Sequence, residues 1–334
     1  MKAVVLVGGF GTRLRPLTTD LPKQMLPIVG VPMIERVVAT LGAHGVTEAV
    51  LSLGYRPDAF IDAYPEGVCA GVALHYAVEP EPLDTAGAVR FAARSAGIDD
   101  TFIVVNGDVL TDLDISALWE FHRGHGAEGT IALTPVDDPS RYGVVPIDDE
   151  GRVVAFVEKP APGTAPTNWI NAGTYVLEPS VLDRIDEGRK VSIERETFPQ
   201  MVDDGGLFAL QSDAYWIDAG TPETYLRSQL DLIDGTRSSE TGIDASSTID
   251  ASAIVENSVL GSHVVVGDGA VIRNSVVMNG ATIGPGVRVH DSIIATDARI
   301  GPDSLVREIS VIGAGIEVPA RSDFSGTRIP EGEN

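Results

Sequence analysis

Short apolar runs alternate with amphipathic stretches along the first two thirds of the chain, and then the period changes. The pattern predicts strands over 2–7, 49–53, 73–78, 102–106 and 129–134, each an apolar run of strand length. It predicts helices over 33–44, 85–95 and 115–122, where apolar residues recur at helical spacing. Alternation of this kind implies an α/β domain: a mostly parallel, Rossmann-like sheet with helices on both faces. Ligands of such sheets sit outside the carboxyl ends of the strands. The loops after 2–7 and 102–106 can therefore share one crevice.

Between 234 and 247 the composition shifts to Gly, Ser, Thr and Asp, which marks a domain boundary. Beyond it, stepping by six from Ala253 gives Val259, Val265, Val271, Val277, Ile283, Val289 and Ala295, all small or branched apolar residues. The phase then slips by one, and Ile294, Ile300, Val306, Ile312 and Val318 continue it; Ile243, Ile249 and Val255 form an earlier run. A six-residue period fits neither helix nor ordinary strand. It fits hexapeptide repeats, in which each short strand forms one side of a triangular coil with the apolar residue inward, at about four coils of roughly eighteen residues. Two domains are expected, 1–236 and 237–334. The ends of a solenoid need capping or a partner, so a homo-oligomer through the second domain is expected as well.

The net charge is −24. The summed field repels polyanions, which argues against nucleic acid or an anionic membrane as partner. A phosphate site in so acidic a chain must gather its few cations locally, and a divalent metal suits it. Cys69 is the only cysteine, so no internal disulfide forms and a reducing compartment fits. The apolar run 3–7 is too short for a signal-peptide core or a membrane span. A cytoplasmic location is expected.

Candidate chemistry begins where the first strand ends. Gly8, Gly9 and Gly11 are followed by Thr12, Arg13 and Arg15, then by Leu21-Pro22-Lys23. Glycines let an anion approach the main chain. Arg13 offers a planar fork for phosphate oxygens and Lys23 a compact charge. The Gly-Lys-Ser/Thr of a P-loop is absent, and Pro16, Pro22 and Pro27 exclude the immediate helix of a dinucleotide fingerprint, so the segment reads as a long loop. No Ser-His-Asp or Cys-His set is evident. His122 and His125 could suggest a metal pair, but read as surface residues at a helix end.

Further strings follow in order: Glu79-Pro80-Glu81-Pro82-Leu83-Asp84-Thr85-Ala86-Gly87, Asn106-Gly107-Asp108, Phe121-His122-Arg123, Arg141-Tyr142-Gly143-Val144-Val145, Phe156-Val157-Glu158-Lys159-Pro160, Asn171-Ala172-Gly173, Ser192-Ile193-Glu194-Arg195-Glu196 and Trp216-Ile217-Asp218-Ala219-Gly220. Together with the glycine loop they resemble the sugar-1-phosphate nucleotidylyltransferases, most nearly the mannose-1-phosphate guanylyltransferases. The repeat region resembles the left-handed parallel β-helix of many of those enzymes.

The resemblance implies attack of a sugar 1-phosphate on the α-phosphorus of a nucleoside triphosphate, most nearly mannose-1-phosphate on GTP, with release of pyrophosphate. It implies that Leu6, Gly8, Gly9, Gly11, Thr12, Arg13, Lys23, Glu79, Asp84, Thr85 and Gly107 bind the nucleotide. Arg13 and Lys23 would stabilise the transition state, and Asp108 and Asp218 would hold Mg²⁺. Gly143, Glu158, Lys159, Asn171 and Gly173 would form the sugar-phosphate pocket. Turn chemistry for Asp108, a helix N-cap for Asp218, a surface ion pair for Glu158-Lys159 and a plain turn at Asn171 and Gly173 are the structural alternatives.

An acidic Glu79 suits guanine, whose edge presents adjacent donors, better than thymine or uracil. Two departures stand out: Asp84, where glycine is common, and Gln24-Met25 in place of Pro-Leu. Asp84 could crowd the base or contact it. Other readings stay open: a glucose-1-phosphate thymidylyl- or uridylyltransferase, a guanylyltransferase for an unusual sugar or cyclitol phosphate, a silent nucleotide-sugar-binding regulatory subunit, and an acyltransferase built on the β-helix.

Overall fold

The computed structural model describes residues 1–330. The chain divides into two compact units, one of Met1–Gly9 with Ile34–Trp216, the other of Phe10–Met33 with the chain from Ile217 onward.

The first unit is built on a 10-stranded mixed sheet. Strands β1 (Lys2–Leu6), β2 (Glu48–Leu53), β3 (Val72–Val78) and β4 (Phe102–Asn106) run parallel, with β1 between β2 and β4 and β3 outside β2. Each lies within about one residue of its expected bounds. Strand β5 (Gly129–Pro135) also forms where expected. Helices α1 (Met33–Ala43), α2 (Pro57–Ala63), α3 (Asp84–Ser95), α4 (Ile115–His125) and α5 (Phe198–Asp203) complete the α/β pattern. The buried core includes Val4, Val50, Val104, Ile131 and Leu177 on strands and Ala86, Val89 and Ala93 on α3.

The parallel order breaks at β6 (Trp169–Leu177), which is antiparallel to both β4 and β5, with a register irregularity between Asn171 and Tyr175. Strand β7 (Leu207–Gln211) then pairs parallel to β5. The sequence reading includes neither β6 nor β7; in β6, Asn171-Ala172-Gly173 has the composition of a turn. The structure uses that triplet as a bulge inside a strand, and bulges of this kind re-aim side chains next to functional sites.

In the second unit, three 5-stranded parallel sheets stack as a left-handed β-helix. Its rungs differ from the sequence expectation in number and length. There are five strands to a sheet rather than four coils, and partners such as Val259↔Val276 and Val276↔Ile293 are 17 residues apart rather than eighteen. The inward row is therefore Leu260, Val266, Ile272, Val277, Ile283, Val289, Ile294 and Ile300, all buried. Val265, placed inward by strict six-residue stepping, is 44% exposed.

The shortened side turns at Asn257-Ser258, Asn274-Ser275 and Asp291-Ser292. The first residue of each pair has positive φ, which Asn and Asp tolerate best after glycine. Each serine is buried, and the hydroxyls of the first two accept the amide of the serine one rung on: Ser275 N–H to Ser258 Oγ at 3.1 Å and Ser292 N–H to Ser275 Oγ at 3.1 Å. Between Arg307 and Ser310, Glu308 and Ile309 both take positive φ, and there the spacing lengthens, as in Ile293↔Val311. A buried Val or Ile contributes about 1.5–3 kcal/mol, so the repeated inward row outweighs the strain at the corners.

Candidate active site

Within the first unit, the carboxyl ends of β1 to β4 gather several of the expected residues. Val7 N–H bonds to Ser52 O, Glu79 N–H to Leu53 O and Gly107 N–H to Leu6 O, so the loops leaving four strands are tied edge to edge. Leu6 ends β1, directly across from Asn106.

Glu79 is anchored through both carboxylate oxygens. Its Oε1 accepts Ser52 Oγ at 2.9 Å and its Oε2 accepts Leu83 N–H at 3.1 Å. A Cβ on Gly8 would lie 3.3 Å from that Oε1, so glycine leaves room for the carboxylate. Ser52 is fully buried and went unnoticed in the sequence. The signal was present: it is the polar residue that interrupts the otherwise apolar Ala49–Leu53 run.

Asp84 opens α3 at φ +62°, and its Oδ1 accepts Thr85 N–H at 2.8 Å. Left-handed backbone explains why glycine suits this position, and Asp is among the residues that bear it with least strain. Thr85 Oγ1 donates to Glu194 Oε2 and accepts Ile193 N–H, both at 2.8 Å. Ala86 and Gly87 N–H point to Val191 O. The first turn of α3 is thus laced to the Ser192–Glu196 string.

The expected sugar-side residues come together on the antiparallel strands. Gly143 pairs with Glu158. A Cβ at Gly143 would lie 2.6 Å from the Phe156 ring and 3.1 Å from Glu158 Oε2. Lys159 has φ +48° and its Nζ lies 3.1 Å from Glu158 Oε1. Asn171 Oδ1 accepts Gly173 N–H and its Nδ2 donates to Tyr175 OH, both at 2.9 Å. Gly173 has φ +75°, and a Cβ there would lie 2.4 Å from Asn106 Nδ2. This close approach sets the β6 bulge against Asn106-Gly107-Asp108. Trp216 Nε1 donates to Ala172 O at 2.9 Å, a brace the sequence did not reveal. Asp108 sits in the two-residue link between Asn106 and Val109.

His122 corrects an expectation. It is not a surface residue: it is 1% exposed, with Nδ1 at 2.9 Å from Thr130 Oγ1 and Nε2 at 3.1 Å from Glu178 Oε1. Helix α4 runs on to His125, and His122 faces β5 from its interior. His125 Nδ1 lies 2.8 Å from Phe121 O.

The second unit holds the rest of the glycine–arginine segment. No α-helix forms in it before α1. Thr12–Leu14 makes one 3-10 turn and Lys23–Met25 another. Gly11 has φ +63°, and a Cβ there would lie 3.2 Å from Lys23 Cβ and 3.1 Å from Thr18 Cγ2. Thr18 Oγ1 donates to Gly11 O at 2.7 Å. Leu14 is fully buried while the Arg13 side chain is 62% exposed, so the segment is anchored by its apolar residues with this guanidinium turned outward.

Arg13 Nη2 lies 3.8 Å from Asp218 Oδ2. A Cβ at Gly220 would lie 2.6 Å from that Nη2 and 2.7 Å from Asp218 Oδ1, so the missing side chain makes the cradle for the pair. Asp218 is not the N-cap of α6 (Pro222–Ile233); Thr221 is, accepting Thr224 N–H at 3.3 Å.

No group of three or more His, Cys, Asp or Glu side chains suited to a metal occurs among the described residues. The carboxylates of Asp108 in the first unit and, taken separately, of Asp218 in the second are hard oxygen donors of the type Mg²⁺ takes, commonly one or two with phosphates and water. No helix among the described residues is long and apolar enough to cross a membrane.

A family model described as nucleotidyl transferase matches residues 2–235. The chain belongs to the nucleotidyl transferase family. A second model, the GMPPB C-terminal domain, matches 238–329. Among relatives of this family, the chain is 44% identical over 235 residues to the mannose-1-phosphate guanylyltransferase of Mycobacterium tuberculosis, covering 70% of this chain and 65% of that protein. It is 46% identical over 230 residues to the mannose-1-phosphate guanyltransferase of Schizosaccharomyces pombe, covering 68% and 62%. The match thus spans less than two thirds of the length of these curated relatives. Among solved structures, HddC from Yersinia pseudotuberculosis, also crystallised in complex with GMP-PN, matches with TM-score 0.59 and 34% identity over 68% of this chain and 97% of its own.

Proposed function

We propose that the chain joins mannose-1-phosphate to GTP, giving GDP-mannose and pyrophosphate. The reading is carried by the 44–48% identity to enzymes named for that reaction across the segment holding the glycine loop, Asp108, the Glu158-Lys159 pair and Asp218.

A phosphate oxygen of mannose-1-phosphate attacks the α-phosphorus of GTP. The bond from that phosphorus to the oxygen bridging to the β-phosphorus breaks, and pyrophosphate leaves with the electron pair. The chain supplies no nucleophile. Its work is to align two anions and to stabilise charge as it develops. Gly8, Gly9, Gly11 and Thr12 receive the triphosphate, and Arg13 and Lys23 provide cationic donors beside it. Leu6 and Gly107 line the nucleotide side.

Glu79, held by Ser52 and the Leu83 amide, keeps acceptor lone pairs for the adjacent donors of guanine. Asp84 and Thr85 border the base. Lys159 binds the phosphate of the sugar, and Glu158, Asn171 and the spaces at Gly143 and Gly173 receive the ring and its hydroxyls. Asp108 and Asp218 would hold Mg²⁺, which when bound neutralises phosphate charge. Residues 1–236 form the catalytic domain and 237–334 the β-helix domain, of which 331–334 lie outside the described residues, in a cytoplasmic homo-oligomer assembled through the β-helix. Light scattering that finds only monomer at micromolar concentration would remove the oligomer from this reading.

The direct test is product identification. With GTP, mannose-1-phosphate and Mg²⁺, mass spectrometry should find GDP-mannose and pyrophosphate formed in equal amounts. GMP or GDP without GDP-mannose would refute the transfer.

A further inference from the structure

The last rung of the β-helix reaches the glycine–arginine segment. Arg328, on the strand Arg328–Ile329, donates from Nη1 to Arg13 O at 2.9 Å, with a second, longer contact to Arg15 O at 3.5 Å. These two carbonyls flank Leu14, the fully buried anchor of the 3-10 turn. A second contact is independent of the first. A Cβ at Gly313 would lie 3.2 Å from Pro16 Cβ and 3.2 Å from Pro330 Cδ, so Pro16 lies against the rung. Gly313 N–H in turn bonds to Ile329 O at 2.6 Å.

Around Arg13, the backbone–backbone hydrogen bonds of the segment are short-range. Between 10 and 32 it has 3-10 turns and a two-stranded ribbon of two residues a side, but no helix of more than one turn, so its own hydrogen bonds are local, as in Leu14 N–H to Gly11 O and Leu17 N–H to Leu14 O, and Arg328 adds a tie from far along the chain. The carbonyl of Arg13 belongs to the residue whose guanidinium sits 3.8 Å from Asp218. Fixing that carbonyl fixes where the Arg13 side chain begins.

We propose that Arg328 is a positioning residue: the final rung of the β-helix holds the Arg13–Pro16 backbone so that Arg13 is presented to the triphosphate. The β-helix thereby becomes part of the nucleotide site as well as a stacking domain. This rests on the triphosphate reading of the glycine–arginine segment. If the binding-competent shape is populated only part of the time without the tether, apparent affinity for nucleotide falls by that fraction while the sugar-phosphate side is untouched.

The test compares full-length wild type, Arg328→Ala and Arg328→Lys by hydrogen exchange on peptides covering 10–18 and by steady-state kinetics. In Arg328→Ala, exchange in 10–18 should rise while the β-helix core 260–300 keeps its protection. KM for GTP should rise about tenfold with KM for mannose-1-phosphate within about twofold, and Arg328→Lys, which keeps a donor, should recover most of the loss. Unchanged exchange in 10–18, or raised exchange with an unchanged KM for GTP, overturns the proposal. If wild type itself turns over no GTP, the functional reading fails instead, and the exchange experiment alone decides whether the tether exists.

Discussion

Both the mixed sheet and the β-helix place glycine where a side chain would collide, but the atoms it would strike differ. In the β-helix, a Cβ on Gly284 would lie 2.7 Å from Ile300 O, the backbone of the next rung. In the sheet, a Cβ on Gly173 would lie 2.4 Å from the side-chain amide of Asn106, next to Gly107-Asp108. The first glycine permits stacking and nothing more. The second shapes a place where other side chains converge. A glycine count does not separate the two uses; the identity of the neighbour does.

The sharpest way to break that contrast is to remove chemistry rather than space. Arg13→Ala should lower kcat/KM by about 10²–10³-fold in a pyrophosphate-release assay, the scale of losing one charge-stabilising donor. Its thermal midpoint should stay near wild type, because the side chain is largely exposed. The two glycines then test the contrast itself. Gly284→Ala should cost about 1–3 kcal/mol in denaturant unfolding, as overpacking does, with activity per folded molecule unchanged. Gly173→Ala should cost more, because φ +75° adds backbone strain to the collision, and should also raise KM for mannose-1-phosphate about tenfold, because Asn106 must move. Equal kinetic effects of the two substitutions would erase the distinction.

A finer test concerns the base. Glu79→Gln keeps the shape but replaces one acceptor by a donor, opposite Ser52 or the Leu83 amide. The preference for GTP over UTP, read as a ratio of kcat/KM, should fall about tenfold.

The smallest expected effect lies at the sheet edge. Burial pushes the Cys69 thiol up to about 11 from an ordinary 9.0. Between those values the unfolded chain has lost the thiol proton and the folded chain has kept it, so the unfolded state binds fewer protons and stability falls as pH rises. Below about 9 the thiol contributes no pH dependence. At pH 8, a thiol reagent should label the native protein far more slowly than the denatured one.

Much of the fold was legible because burial writes itself as unbroken apolar runs. β1 to β4 and α1, α3 and α4 follow from that pattern alone. Strand β6 did not, because Asn171-Ala172-Gly173 carries turn composition and only tertiary pairing with β4 and β5 makes it a bulge. The repeat period was visible while its register was not. Buried serines at 258, 275 and 292 take the place of apolar residues at one corner, and polar residues satisfied by their own or the next rung leave no hydropathy signal.

The chemistry-bearing strings were legible by type and order. What the sequence could not supply were the partners: Ser52 under Glu79, Trp216 on Ala172, Gly220 beside Arg13, and His122 turned inward to Glu178. Each joins residues far apart along the chain, and periodicity carries no information about such pairs.

The most direct measurement is a matrix of GTP, dTTP, UTP, ATP and CTP against mannose-1-phosphate and glucose-1-phosphate with Mg²⁺, following pyrophosphate release. GTP with mannose-1-phosphate should give the highest kcat/KM in the matrix. A higher value for another nucleotide would contradict the role of Glu79, and silence throughout would contradict nucleotidyl transfer to these sugars.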